Sequence, residues 1–210
     1  MQHIVTPYAL ETFAFAWWDN AFTEDELNWL QERALNATEQ ANVGLKSSGD
    51  KEDLSKIRRS KVSWLAKTQE VAWVFEKLSH VVSALNAEFY RFDLTGFAES
   101  LQLTNYDHAD KGMYGWHQDY GAIRKPSRKL SLVLQLTDPS SYEGGNLQIL
   151  TNSAVSNATI NSRGCADPVN MRKERGLIVV FPSYVLHQVT PVTQGTRQSL
   201  VTWVTGPEFK

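Results

Sequence analysis

Met113-Tyr114-Gly115-Trp116-His117-Gln118-Asp119 is an aromatic strand candidate that ends on a histidine and a carboxylate two positions apart. Residues two apart on a strand face the same side, so the imidazole of His117 and the carboxylate of Asp119 can converge on one ion. The pattern alone is weak, because the chain carries a second copy, His108-Ala109-Asp110. That copy sits in the polar run Asp107 to Gly112, which reads as a solvated turn. A third ligand for the first copy is available in His187, on a candidate strand opening after Phe181-Pro182-Ser183. Two imidazoles and one carboxylate on a β scaffold make the facial triad that leaves positions of an octahedral iron(II) open. His3 and His80 read as surface residues.

The chain around this motif changes period at Gly96. After it, strand-like runs occur at Ala98 to Tyr106, Met113 to Asp119, Leu130 to Leu136, Asn146 to Leu150, Gly176 to Phe181, Val185 to Val189 and Arg197 to Val204, about seven or eight strands in all. Turn chemistry separates them, as in Asp138-Pro139-Ser140-Ser141 and Glu143-Gly144-Gly145. Thr151 to Lys173 breaks the pattern and reads as a long insertion, a candidate lid. Before Gly96 the reading is helical with short strands. Thr12 to Trp18 and Lys61 to Leu65 are strand candidates, and Thr23-Glu24-Asp25-Glu26 is a capping box for a helix that fades near Asn42. Gly44 to Asp53 reads as a mobile loop. From Val71 onward Val74, Phe75, Leu78, Val81, Val82, Leu85 and Phe89 recur at helical steps, which predicts an amphipathic helix against a sheet. The fold class is therefore mainly β with N-terminal helices. We expect a double-stranded β-helix, or jelly roll, over 96–207, backed by α-helices within 1–95.

Composition narrows the function classes. With 210 residues, 42% hydrophobic and 21% charged, the chain has enough material for one globular domain over 1–210. The net charge of -2, from 21 basic against 23 acidic residues, argues against nucleic acid and anionic lipid as partners. The N-terminus lacks the pattern of a secretory signal and no apolar stretch reaches spanning length, so the expected setting is the cytoplasm, without membrane contact. The single Cys165 has no partner for an internal disulfide or a sulfur-ligated zinc and reads as an inert thiol. Arg197 and Ser199 place a guanidinium and a hydroxyl on one side of the last strand, and a buried guanidinium calls for an anion. A dicarboxylate that chelates iron at one end would offer its distal carboxylate to such a fork.

These stretches together resemble a 2-oxoglutarate and iron(II)-dependent oxygenase of the prolyl 4-hydroxylase-like superfamily, in particular the PKHD-type hydroxylases. The matching segments are Tyr114 to Asp119, Lys129-Leu130-Ser131-Leu132, Leu136-Thr137-Asp138-Pro139, Tyr142 to Leu147, Phe181-Pro182-Ser183, His187 to Thr193, and Arg197. The resemblance implies that His117, Asp119 and His187 bind iron and that Arg197 holds the C5 carboxylate of 2-oxoglutarate. It further implies Tyr106 near the cosubstrate, Leu147 as a pocket wall, and Gly144 and Gly145 as structural. Gln135 departs from the Tyr or Lys of many relatives, and its amide can still hydrogen-bond a carboxylate.

The activity so implied is a dioxygenase that hydroxylates an unactivated C–H bond, with peptidyl proline the first expectation and ascorbate a supporting reductant. Tyr114, Trp116, Arg124 and Trp203 are the candidate substrate residues. The loop Tyr120 to Arg128 is the candidate closure over an extended peptide. Alternatives are a hydroxylase of a free amino acid or small molecule, a silent jelly-roll binding or virion protein, a zinc hydrolase, and a repair enzyme for alkylated nucleic acid. The last would resemble a pattern with a second Arg where this chain has Trp203.

Overall fold

The computed structural model describes residues 13–37, 39–41, 54–121, 126–151 and 168–209. Helix α1 (Glu24–Leu35) starts at the expected capping box. The Thr23 hydroxyl accepts from the Glu26 amide at 3.3 Å, and the Glu26 carboxylate accepts from the Thr23 amide at 2.8 Å. Leu27, Leu30 and Ala34 form its buried face. It ends at Leu35, well before Asn42, because Asn36 adopts a non-helical cap and the chain turns to pair Glu39–Gln40 (β2) with the sheet. Helix α2 (Ala72–Leu85) buries Val74, Leu78, Val81, Val82 and Leu85, as the periodicity predicts, and runs into a wider π turn at Asn86–Tyr90.

Two antiparallel sheets face each other. The remaining strands are β1 (Ala16–Trp18), β3 (Arg58–Arg59), β4 (Lys61–Leu65), β5 (Leu101–Asp107), β6 (Met113–His117), β7 (Ser127–Gln135), β8 (Glu143–Gly144), β9 (Leu147–Leu150), β10 (Pro168–Asn170), β11 (Ile178–Pro182), β12 (His187–Val189), β13 (Val192–Gln194) and β14 (Thr196–Gly206). The 7-stranded sheet has the order β1-β11-β7-β14-β5-β4-β2, and the 5-stranded sheet β10-β9-β12-β6-β3. This is the expected jelly roll backed by helices, and its N-terminal strands enter both sheets.

The large sheet is buried on both faces, and residue parity decides which side each side chain serves. Leu130, Leu132 and Leu134 of β7, Leu101 and Leu103 of β5, Ile178 and Val180 of β11, and Leu200 and Val204 of β14 pack with α1 and α2 in one apolar core. Each such leucine contributes roughly 1.5–3 kcal/mol by leaving water. The residues between them point the other way. Ser131, Val133 and Gln135, Gln102, Thr104 and Tyr106, and Arg197, Ser199, Val201 and Trp203 all face the jelly-roll interior. Helix packing thus fixes the sheet through one set of positions and leaves the alternate set free to carry polar groups.

Several expected boundaries shift. β7 begins at Ser127, so Arg128 belongs to a strand and the expected Tyr120 to Arg128 loop is shorter. The Thr151 to Lys173 segment is not an insertion throughout. Pro168–Asn170 pairs with β9 at the sheet edge, where the missing proline N–H costs no ladder bond, and Met171 is buried. Its middle, 152–167 with Cys165, lies outside the described residues, as do His3, Arg124 and the whole of Gly44 to Asp53.

Candidate metal centre and cosubstrate pocket

His117 ends β6, and His187 begins β12 directly opposite it. Each imidazole is fixed by its own strand. His117 Nδ1 lies 2.8 Å from the Gly115 carbonyl and His187 Nδ1 lies 2.9 Å from the Val185 carbonyl. A carbonyl only accepts, so each Nδ1 carries the proton and each Nε2 is left bare for a cation.

Asp119 lies past the end of the strand, so simple alternation does not bring it in. Its amide and that of Tyr120 both donate to the Ser183 carbonyl at 2.9 Å, which folds the chain back beneath the histidines. Asp119 Oδ1 is then 3.7 Å from His117 Nε2, and Oδ2 is 3.4 Å from His187 Nε2. Candidate ligand atoms of all three residues lie within 4.8 Å of one another. That donor set suits a six-coordinate iron(II) with open positions.

The electrostatics agree with a cation site. Burial pushes the His117 imidazole down to about 4, helped by His187, so it is neutral and ready to ligate near neutrality. Burial alone would raise the Asp119 carboxyl. Positive charge at the His187 and His117 rings, a proton standing in for the cation, together with the Arg128 guanidinium outweighs it and holds the group well below the usual carboxylate range.

A bulge in β6 sorts the aromatic residues. His187 pairs with His117 but Val189 pairs with Tyr114, so β6 spends one extra residue over this interval. Tyr114 and His117 consequently share the inner face, with their rings stacked at 3.5 Å, and burial pushes the tyrosine hydroxyl up to about 12. Trp116, one of the expected substrate residues, turns outward, is 43% exposed and does not line the cavity.

A cavity of about 260 Å³ runs from the triad to Arg197, lined also by Tyr106, Tyr114, Leu147, Ser199 and Trp203. Arg197 is 1% exposed. Its terminal nitrogens donate to Ser199 Oγ at 3.3 Å and Gln135 Oε1 at 3.0 Å, and its guanidinium lies 5.4 Å from the Tyr106 ring centre. Among the described residues no carboxylate reaches it, and its Nε has no partner. A buried cation left without an anion beside three candidate metal ligands suits one carboxylate of a small diacid. Gly145 makes room here. Its φ is +56°, and a Cβ would sit 3.0 Å from Arg197 Cδ. Gln135 is buried behind Arg197 and does not line the cavity.

Several cavity residues are not legible from the sequence. Arg58 is buried on β3, donates to Ser60 Oγ at 2.9 Å and covers Tyr114 at 4.5 Å. Arg128 forms a two-pronged pair with Glu99 at 2.5 and 2.6 Å and sits over Trp203, 3.5 Å from its ring centre. Gln102 alternates with Leu101 and Leu103 as a solvent-facing residue would. The only signal was polar alternation in strands that turn out to be covered on both sides.

A double-sheet barrel brings together two imidazoles, one carboxylate and a buried arginine that no carboxylate reaches among the described residues, a set that fits one metal ion and a small acid. A model of the 2OG-Fe(II) oxygenase superfamily matches residues 101–205, and the chain belongs to that superfamily. A PKHD-type hydroxylase of Synechococcus sp. (strain CC9605) is 40% identical over 91 residues, covering 43% of this chain and 36% of the relative. A PKHD-type hydroxylase of Prochlorococcus marinus is 27% identical over 165 residues, 78% of this chain and 63% of the relative. The matches thus span roughly one to two thirds of these relatives. Among solved structures, a Pseudomonas putida prolyl-4-hydroxylase superposes with a TM-score of 0.67 at 20% identity, over 93% of this chain and 95% of that one. A Trichoplax adhaerens prolyl hydroxylase in complex with a hypoxia inducible factor peptide fragment gives 0.70 at 15%, over 94% and 86%. At such identities these two carry the fold alone. Among the described residues no helix is long and apolar enough to cross a membrane.

Proposed function

We propose that the chain is an iron(II)- and 2-oxoglutarate-dependent hydroxylase that acts on a prolyl residue within a peptide. The single observation that carries the cosubstrate reading is Arg197, a buried guanidinium with no carboxylate partner among the described residues, in the same cavity as His117, Asp119 and His187. His117, Asp119 and His187 hold the metal, Arg197 binds the distal carboxylate as a planar fork, and Ser199 and Gln135 fix the guanidinium. Tyr106 and Leu147 wall the cosubstrate end.

Bound there, iron(II) and 2-oxoglutarate supply the activation of dioxygen, yielding succinate, carbon dioxide and one oxygen atom for a C–H bond, with ascorbate keeping the metal reduced. The chain's own part is to orient that bond and to exclude water. Trp64 offers an exposed aromatic surface at the remaining cavity, and Tyr114 and Trp203 line it with rings held against His117, Arg58 and Arg128. The peptide class is taken by analogy from prolyl hydroxylases of similar fold, one of them in complex with a peptide fragment.

The test incubates the protein with iron(II), ascorbate, 2-oxoglutarate and either a panel of proline-containing peptides or free L-proline, and reads mass. Gain of one oxygen by a peptide, in step with succinate, is expected. Product from free L-proline with no response to any peptide would overturn the peptide assignment.

A further inference from the structure

Two motif residues, Ser131 and Ser183, are left without a role by the reaction as assigned. Both are fully buried. They lie on adjacent strands, where Ser131 of β7 pairs with Phe181 of β11 and Ser183 follows that strand's end. Alanine would fill such positions without cost. A buried hydroxyl is tolerated only where its hydrogen bonds are made.

The Ser131 hydroxyl lies 2.8 Å from Asp119 Oδ2 and 2.9 Å from the Ser183 hydroxyl. An ionised carboxylate only accepts, so Ser131 spends its one proton on Asp119. The bond between the serines must then run from Ser183 to Ser131. The result is a directed chain, Ser183 O–H to Ser131 O–H to Asp119 Oδ2, in which each donor strengthens the next. The same Ser183 donates its amide to the Lys129 carbonyl and accepts the Asp119 and Tyr120 amides on its own carbonyl. One residue therefore ties the sheet to both the backbone and the side chain of Asp119.

We propose that Ser131, backed by Ser183, is a positioning residue that occupies Oδ2 of Asp119 and leaves Oδ1 as the single oxygen offered to the metal. This rests on the metal reading of the triad. A carboxylate free to swing can chelate a cation through both oxygens, taking a coordination position that the cosubstrate needs. The relay costs the site nothing in charge and prevents that rotation.

The test measures anaerobic binding of cobalt(II) alone, by its visible absorption, and the KM for 2-oxoglutarate, in Ser131→Val, Ser131→Thr and Ser183→Ala, with melting temperature as the folding check. Ser131→Val should weaken cobalt(II) about 10- to 100-fold and alter its spectrum. Ser131→Thr, of the same size but with the hydroxyl, should stay within about threefold of the parent, and Ser183→Ala should fall between them. Equal affinity and spectra in the Val and Thr variants would overturn the proposal. Should Ser131→Val not fold, Ser183→Ala decides, and an unchanged affinity and spectrum there overturns it. His187→Ala separates the two levels: cobalt(II) binding that survives in it would sink the metal reading itself, whereas binding lost there but untouched by the serine variants would sink only the relay.

Discussion

The chain writes His-x-Asp twice within a few residues, and the two copies end in different physical settings. His108 and Asp110 stand in the turn between β5 and β6, where the His108 side chain is 54% exposed and its Nδ1 lies 3.2 Å from the Gly195 carbonyl. His117 and Asp119 have side chains 15% and 10% exposed and meet His187 from a third stretch of chain. The difference lies outside the tripeptide. It comes from the pairing of β6 with β12, from the Ser183 carbonyl that turns Asp119 inward, and from Phe181 packed 4.6 Å from the His187 ring. A ligand pair becomes a site when the sheet delivers the third ligand and removes the water.

Substitution in the two copies should break the comparison most sharply. Asp119→Ala is expected to abolish turnover and to weaken metal binding by more than about 100-fold, since it removes a ligand and not only its support. Asp110→Ala should leave both unchanged. Steady-state succinate release and metal titration check the pair.

Arg197→Ala comes next. Loss of a buried charge-assisted contact to a carboxylate costs roughly 2–5 kcal/mol, so the 2-oxoglutarate requirement should rise by about 30-fold or more, with Arg197→Lys recovering part. An unchanged KM would move the cosubstrate to another cation.

Support behind the second copy is a stability question. Phe181 is fully buried between the core and His187, so Phe181→Ala should destabilise the fold by about 3–5 kcal/mol in denaturant titration and loosen the metal as well. The first copy depends on its turn. A Cβ at Gly112 would lie 2.8 Å from the Asp107 nitrogen and 2.9 Å from the Tyr106 carbonyl carbon, so Gly112→Ala should cost about 1–3 kcal/mol while the folded fraction still binds metal. Smallest of all, His108→Ala should change activity by less than about threefold, because an exposed turn residue contributes little to either core or site.

How much of this was readable beforehand follows the same division. The triad and Arg197 were legible because histidines are few and because a period of two places Arg197 and Ser199 on one face whatever the rest of the sheet does. The capping box at Thr23 and the apolar face of α2 are local, and they hold. What escaped depends on partners distant in sequence. The bulge that expels Trp116 exists only in the pairing with β12. Thr151 to Lys173 reads as one insertion until the pairing of Pro168–Asn170 at a sheet edge is known. Arg128 looked like a basic loop residue, and its burial follows from Glu99 and Trp203 on other strands.

The central claim, one iron site at His117, Asp119 and His187 served by Arg197, is tested most directly by anomalous diffraction from anaerobic crystals grown with manganese(II) and 2-oxoglutarate. The account predicts one anomalous peak within ligand distance of both Nε2 atoms and the Asp119 carboxylate, with the far carboxylate of 2-oxoglutarate on the Arg197 guanidinium. A metal bound elsewhere, or a cosubstrate whose far carboxylate leaves Arg197 unpaired, would contradict it.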